Sequence, residues 1–285
     1  MRTSRILFAG MHDSGKTTYI AALWDYINSD KKDKNFILNT LADSENEYLE
    51  KIRSEWLQCK KVTRTNLNTE SVKMNLCSTE NQENIIIEIP DFSGELFNNH
   101  FQHREWSTEY NDLIRNLSGI VLFINPKDEK NRMQFISDAV EIEEMLKIPG
   151  LDVNEEVVHT SWSQEYSSHQ VKLVEALQFV ENYREESFPV RVSVIISRWD
   201  LLYKTGISPE QWLKLQLPLL DQYLLCNSKS FKVTYFGISA QGGDYSISQD
   251  VERLLSMEPY ERPIVRFGDT NINDLTAPIN WLTRN

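Results

Sequence analysis

The sequence contains a glycine-rich run suited to binding phosphate. Residues 10–17 read Gly-Met-His-Asp-Ser-Gly-Lys-Thr and match the pattern G-x-x-x-x-G-K-[ST]. Such a loop turns its backbone N–H groups around a phosphate, so Gly10 and Gly15 must allow tight or left-handed geometry. Lys16 would then reach the β- and γ-phosphates, and the Thr17 hydroxyl would bind Mg²⁺. The predicted phosphate-binding residues are Gly10, His12, Asp13, Ser14, Gly15, Lys16, Thr17 and Thr18.

A second segment carries an acidic side chain followed by a glycine. Asp91-Phe92-Ser93-Gly94 comes directly after the apolar run 85–89. Downstream of a phosphate loop, this spacing predicts that Asp91 holds Mg²⁺ through water and that the Gly94 N–H contacts a γ-phosphate. The alternative is an Asx turn that only ends the strand.

Two further segments have residue types that could recognise a purine base. In Ser197-Arg198-Trp199-Asp200, the carboxylate could accept two hydrogen bonds from the N1–H and N2–H₂ edge of guanine, which adenine does not offer. Arg198 could lie over the base plane. Ser239-Ala240 follows a later strand and resembles the S-A-[KL] segment of GTPases, which implies that its backbone N–H contacts the guanine O6. A simple turn at the end of a strand is the alternative for residues 197–200.

In this order the four segments resemble those of a TRAFAC-class (translation-factor-related) P-loop GTPase, over roughly residues 6–241. Three stretches are similar to the bacterial double-GTPase group: Asp-Ser-Gly-Lys-Thr-Thr-Tyr-Ile-Ala-Ala-Leu-Trp, Pro-Asp-Phe-Ser-Gly-Glu and a C-terminal Pro-Ile-Asn-Trp-Leu. The resemblance implies a GTP-binding switch with Mg²⁺ as cofactor. It also implies a second GTPase as protein partner, in a bacterial conflict or defence system.

The chain departs from the pattern of related GTPases at several positions. A switch I threonine should bind Mg²⁺, and Thr63, Thr65 and Thr69 all qualify, with Thr65 preferred. Glu95 stands where Ras-like GTPases carry the glutamine that orients water, which places intrinsic hydrolysis in question. We list Glu95, Lys16 and Thr65 as the catalytic candidates.

Two loop residues bear on how hydrolysis would be assisted. His12 would crowd the space that an arginine finger enters. Asp13 occupies the position at which cation-dependent GTPases help to hold K⁺ or Na⁺. K⁺ is therefore a second candidate cofactor, although Asp13 could equally hydrogen-bond within its own loop.

Short β-type runs alternate with helical patterns, which predicts an α/β fold with a mostly parallel sheet. The predicted strands are Arg5–Ala9, Ser71–Cys77, Asn84–Ile89, Gly119–Asn125, Val190–Ser197 and Phe231–Ile238. The first helix should begin within residues 15–18, a later one carries Leu173, Leu177 and Val180 on one face, and another is capped by Ser208. Pro218 should end or kink that helix, and residues 276–282 could form a closing helix.

We expect one G domain over residues 1–285, with insertions at about 35–61 and 126–189. The first insertion is predicted to be helical, and Trp56 within it is either a partner contact or a core residue.

Composition excludes several classes of protein. The chain has 285 residues and a net charge of −12, which argues against a general nucleic-acid binder because such proteins need a basic face. Three widely spaced cysteines form no zinc pattern and favour a reducing, cytoplasmic location. The longest apolar run, residues 119–124, is far shorter than the roughly 20 residues that span a bilayer. We therefore expect no integral membrane segment.

Two other functions stay open from the sequence. The first is a non-hydrolysing scaffold whose bound nucleotide only stabilises a partner surface. The second is a P-loop ATPase or kinase, which would not need both the D-x-x-G and the S-R-x-D segments.

Overall fold

The structure is a computed structural model that describes residues 3–31, 34–40, 43–62, 71–90, 101, 103, 108–128, 167–184 and 188–283. Within these ranges, nine strands form one sheet in the order β2-β3-β4-β1-β5-β6-β7-β8-β9. The strands are β1 (Thr3–Gly10), β2 (Phe36–Thr40), β3 (Ser71–Ser78), β4 (Asn84–Pro90), β5 (Gly119–Ile124), β6 (Val190–Ser197), β7 (Phe231–Ser239), β8 (Ile264–Phe267) and β9 (Thr270–Ile272).

The centre of the sheet is parallel and its two edges are antiparallel. Strands β4, β1, β5, β6 and β7 run in the same direction. Strands β2 and β3 extend one side, and the hairpin β8–β9 extends the other. This arrangement confirms the predicted α/β fold with a mostly parallel sheet.

Helices cover both faces of the sheet. Within the described ranges they are α1 (Lys16–Asn28), α2 (Asp43–Leu57), α3 (Thr108–Arg115), α4 (His169–Tyr183), α5 (Pro209–Gln216), α6 (Pro218–Cys226), α7 (Ser248–Leu255) and α8 (Ala277–Thr283). Helices α1, α2 and α8 pack on one face, and α3 to α6 pack on the other. No described helix is long and apolar enough to cross a membrane.

The central strands are buried on both faces, so their sequences are nearly continuous apolar runs. In β1, Ile6 and Phe8 join the core under α1, whereas Leu7 and Ala9 join the opposite core. Side chains on a strand alternate between faces, so one short run supplies both cores. Because the parallel strands all end at the same edge, the loops that follow β1, β5, β6 and β7 are neighbours.

All six predicted strands are present, with bounds that differ by at most two residues. The capping box at Ser208 is formed: its hydroxyl accepts from the Gln211 backbone N–H at 3.2 Å. Helix α5 ends at Gln216, as Pro218 predicts, and Pro218 itself opens α6 because proline is tolerated in a first turn. The closing helix lies one residue later than predicted.

The sequence predicts a helical first insertion, and this prediction is only partly correct. Helix α2 is present, but residues 36–40 form β2, which pairs antiparallel with β3. Short apolar runs fit either state, and pairing with an available strand edge decides for the strand. Of the second insertion, residues 129–166 and 185–187 lie outside the described ranges, and α4 lies between them.

Candidate functional site

The loop between β1 and α1 has the backbone shape that its sequence predicts. Strand β1 ends at Gly10 and α1 begins at Lys16. Gly10 has φ of +149° and Gly15 has φ of +92°, which are conformations that favour glycine. Asp13 also takes a left-handed φ of +58°. The loop therefore turns sharply and feeds its chain into a helix N-terminus, the arrangement that binds phosphate.

The Lys16 side chain folds back over this loop. Its Nζ donates to the Gly10 carbonyl at 2.6 Å, to the Met11 carbonyl at 2.9 Å and to the Ser14 hydroxyl at 3.1 Å. These acceptors hold the ammonium group at the loop rather than in bulk solvent. A half-buried cation fixed beside a helix N-terminus is an electrostatic match for a polyphosphate.

Side chains from the next strands hold the loop from the side. The Asn125 amide, one residue beyond β5, donates to the Asp13 carbonyl at 3.2 Å and accepts from the Lys127 backbone N–H at 3.1 Å. The Ser197 hydroxyl, at the end of β6, donates to the Ile124 carbonyl at 3.0 Å. A Cβ added to Gly15 would lie 3.0 Å from Ser197 Cβ, so the phosphate loop packs directly against the start of the S-R-W-D segment.

The S-R-W-D segment is anchored by its tryptophan. Trp199 is 1% exposed and opens a short 3-10 helix, Trp199–Leu201. Its indole lies against Gly237 of β7, where an added Cβ would come within 2.1 Å of Trp199 Cδ2. Arg198, exposed and with φ of +50°, precedes it, and the half-buried Asp200 follows. The buried ring thus anchors the backbone between the two neighbouring residues that the sequence assigns to the base.

The loop after β7 lies beside this segment, because β6 pairs with β7 and Ser197 is level with Ile238. The buried Ser239 hydroxyl accepts from the Gly242 backbone N–H at 3.0 Å, which closes a tight turn around Ala240. We name residues 239–243 the base loop.

An acidic side chain adjoins the predicted base-binding residues. Hydrogen bonds from the hydroxyl and backbone N–H of Ser246 lower the pKa of Asp244, and the nearby charges of Lys127 and Arg198 lower it further. Asp244 therefore stays ionised at neutral pH and faces two cations at the rim of the site. Sequence reasoning missed both Asp244 and the Asn125 contact. Asn125 could have been found as a polar residue at the end of a parallel strand beside the phosphate loop.

His12 and Asp13 lie at the exposed top of the phosphate loop. His12 Nδ1 is 3.3 Å from Asp13 Oδ2. The structure thus gives Asp13 a contact within its own loop, which is the alternative to cation binding considered from the sequence.

The structure brings together the predicted residues of the phosphate loop, the S-R-W-D segment and the base loop. Thr17 lies half-buried in the first turn of α1, directly after Lys16. Four other predicted residues lie outside the described ranges: Thr65, Asp91, Gly94 and Glu95. Among the described residues, no group of three or more His, Cys, Asp or Glu side chains could hold a metal ion. Hydroxyl and carboxylate oxygens, the donors at positions 17, 65 and 91, are nevertheless the ligands that Mg²⁺ prefers.

Comparisons with known proteins place the chain in a family. The family model described as Double-GTPase 1 matches residues 7–282. No curated protein matches the chain.

Two solved structures are similar to the chain at low identity. Bacterial selenocysteine-specific elongation factor EF-Sec is 13% identical with a TM-score of 0.36, over 90% of this chain and 30% of that one. The S. cerevisiae Ski7 GTPase-like domain, bound to GTP, is 14% identical with a TM-score of 0.44, over 85% of this chain and 44% of that one. The chain therefore spans less than half the length of either structure.

Proposed function

Because the chain belongs to the Double-GTPase 1 family, we propose that it is a GTP-binding molecular switch whose hydrolysis is slow or assisted. The proposal rests on one observation: the phosphate loop and the S-R-W-D segment lie at the same edge of the sheet. There the Lys16 ammonium group, held over a left-handed glycine loop, adjoins the segment that presents Asp200. A triphosphate bound at the loop would extend its base toward that segment.

The phosphate end would be bound by the loop and the start of α1. Backbone N–H groups of residues 13–18 and the Lys16 ammonium would surround the β- and γ-phosphates. Thr17, with Asp91 through water and Thr65, would hold Mg²⁺. When bound, this ion neutralises the charge that develops between the β- and γ-phosphates. Gly94 would contact the γ-phosphate, so its position would differ between the GTP-bound and the GDP-bound protein.

The base end would be read by hydrogen bonds and stacking. Asp200 would accept from the N1–H and N2–H₂ groups of guanine, Arg198 would cover the base plane, and the Ala240 N–H would donate to O6. Adenine offers a bare N1 acceptor to the carboxylate, and a polar group that binding buries without a partner costs about 1–3 kcal/mol. This difference supports a preference for GTP and GDP over ATP.

Hydrolysis would depend on groups other than those that bind the phosphates and the base. Glu95 would take the place of a water-orienting glutamine, and a carboxylate there also repels the γ-phosphate. Asp13 would support K⁺ beside the phosphates. A second GTPase is the partner we propose, within a bacterial conflict system, and the proposed location is the cytoplasm.

A non-hydrolysing scaffold is the second candidate, and Glu95 favours it because a carboxylate is a poor substitute for the water-orienting amide. The two candidates differ in which residue they need. A scaffold tolerates Glu95→Ala but not Lys16→Ala, whereas a hydrolysing switch loses phosphate release with either change.

The experiment is equilibrium binding of fluorescent GDP, GTP and ATP to the full chain with Mg²⁺, followed by phosphate release in K⁺, in Na⁺ and in N-methylglucamine. We expect GDP and GTP to compete with each other and ATP to fail at a hundredfold excess. ATP binding as tight as GTP would refute guanine recognition. Equal phosphate release in K⁺ and in the organic cation would refute the role of Asp13.

A further inference from the structure

The base loop is held from outside by helix α2, which belongs to the first insertion. Trp56, in the last turn of α2, is 0% exposed, and its Nε1 donates to the Ala240 carbonyl at 3.0 Å. The two residues are 184 positions apart in the sequence. Trp56 therefore makes a specific contact with the loop predicted to meet the guanine O6, besides filling the core.

A buried arginine fixes this tryptophan in turn. Arg262 is 5% exposed, and its guanidinium lies 5.4 Å from the centre of the Trp56 ring. Its Nη1 donates to the Leu57 carbonyl at the end of α2, at 3.0 Å. A guanidinium that stacks on an indole and also bonds the adjacent carbonyl restricts both the ring and the helix end.

The bond from Trp56 fixes the orientation of the loop backbone. A carbonyl and the N–H of its own residue are linked through two dihedral angles, so holding the Ala240 carbonyl restricts where the Ala240 N–H can point. The Ser239 hydroxyl and Arg253, whose Nη2 donates to the Gly242 carbonyl at 2.9 Å, hold the loop on the other side. Without the indole donor, the Ala240 carbonyl loses this hydrogen bond from α2, and the loop gains freedom at the predicted O6 contact.

We propose that Trp56, clamped by Arg262, is a positioning residue for recognition of the 6-oxo group of the purine base. The inference rests on the proposed guanine-binding function. It assigns to α2 a role in base selectivity, because the Ala240 N–H donates well to O6 only while α2 holds the loop.

The chain offers a matched control in the same helix pair. Trp24 of α1 is also buried, at 2% exposure, and its Nε1 donates to the Glu50 carboxylate of α2 at 2.8 Å. Trp24→Phe and Trp56→Phe each remove one indole donor between α2 and a neighbouring element. Of these two indole donors, the one that is hydrogen-bonded to the base loop is Trp56. Its replacement should therefore change how the base is read, whereas Trp24→Phe should not.

The experiment compares GDP with 6-thioguanosine diphosphate, in which sulfur, a weak acceptor, replaces O6 while N1–H and the 2-amino group remain. Wild-type protein should bind GDP at least tenfold more tightly than the thio analogue. Trp56→Phe should weaken GDP about tenfold and leave the thio analogue nearly unchanged, so that the ratio approaches one. Trp24→Phe should keep the wild-type ratio.

The outcomes separate the inference from the proposed function. If the wild type prefers GDP and Trp56→Phe keeps that preference, or weakens both ligands equally, the positioning role is wrong and guanine recognition stands. If the wild type binds GDP no better than ATP, the proposed function fails and the inference fails with it. Arg262→Lys, which keeps the charge but loses the planar contact with the ring, should give a smaller drop in the same ratio if Trp56→Phe does not fold.

Discussion

Replacing Gly237 with alanine tests whether the buried tryptophan of the S-R-W-D segment positions the base-binding side chains. Gly237 lies two residues before the end of β7, and an added Cβ would be 2.1, 2.5 and 2.6 Å from three atoms of the Trp199 indole. Ordinary contact begins at 3.4 Å, so the ring must retreat by about 1 Å or more. Trp199 is 1% exposed, and close-packed protein interiors leave little room for such a movement.

Gly237→Ala should have two effects, a loss of stability and a loss of GDP affinity. Overpacking of this kind costs roughly 1–3 kcal/mol of unfolding free energy. Asp200 directly follows Trp199 in the chain, so movement of Trp199 would displace the Asp200 carboxylate. Because a hydrogen bond weakens steeply as its angle and distance change, the bonds to guanine would weaken. We expect GDP affinity to fall about 10- to 100-fold, which corresponds to about 1.4–2.7 kcal/mol.

The assay is a double-mutant cycle with Trp199→Leu, read by GDP titration and by urea unfolding. In the Trp199→Leu background the smaller side chain leaves room for the new methyl group, so Gly237→Ala should cost much less there than in wild type. Additive effects on both stability and affinity would refute the steric reasoning. Wild-type GDP affinity in Gly237→Ala would refute the link between Trp199 and Asp200.

Three further predictions concern the phosphate end. Lys16→Ala should lower GTP and GDP affinity at least a hundredfold in a fluorescence titration. Its circular dichroism spectrum should resemble that of wild type, because the hydrogen bonds of the ammonium group to residues 10, 11 and 14 lie within its own loop. Asn125→Ala should weaken the binding of GDP and GTP equally, about tenfold, and leave the preference for guanine over adenine unchanged. The reason is that the change frees the Asp13 carbonyl of the phosphate loop and touches no predicted base contact. A selective loss of guanine preference in competition assays would contradict this. Chelating Mg²⁺ with EDTA should weaken GTP at least tenfold more than GMP, which lacks the β- and γ-phosphates, and equal losses in calorimetry would exclude a metal at Thr17.

The central sheet was predictable from sequence because it is buried on both faces. Strands such as Val190–Ser197 are rich in Val and Ile, and this composition within an α/β pattern is typical of a buried parallel strand. The phosphate loop was equally predictable, since both glycines adopt the positive φ that its pattern requires.

Elements at the sheet edges were harder to predict, because whether such a short segment forms a strand depends on pairing with a neighbouring strand and not on its composition. Strand β2 has five residues and alternates buried Phe36 with exposed Ile37, a pattern too short to distinguish from helix. Strands β8 and β9 have four and three residues. Their Gly268-Asp269 turn is a hairpin pattern that sequence reasoning overlooked.

Parts of the site could not be predicted because they join distant residues. Nothing local marks Trp56 as a partner of the Ala240 carbonyl, and the sequence left it between a core residue and a partner contact. The structure shows that it is buried. The fit of Trp199 against Gly237 likewise depends on the register of β6 with β7, which the sequence does not reveal. The assigned roles of Thr65, Asp91, Gly94 and Glu95 stay predictions from sequence.

Guanine recognition by Asp200 is the claim on which the proposed switch depends, and a matched change of side chain and base tests it directly. Asp200→Asn replaces one carboxylate oxygen with an N–H₂ donor, and xanthine replaces the 2-amino donor of guanine with an oxygen acceptor. Equilibrium titration of wild type and Asp200→Asn with GDP and xanthosine diphosphate should show the preference reversed, with GDP weakened at least a hundredfold in the variant. If Asp200→Asn binds GDP as tightly as wild type, residues 197–200 only form a turn and the guanine-specific switch is wrong.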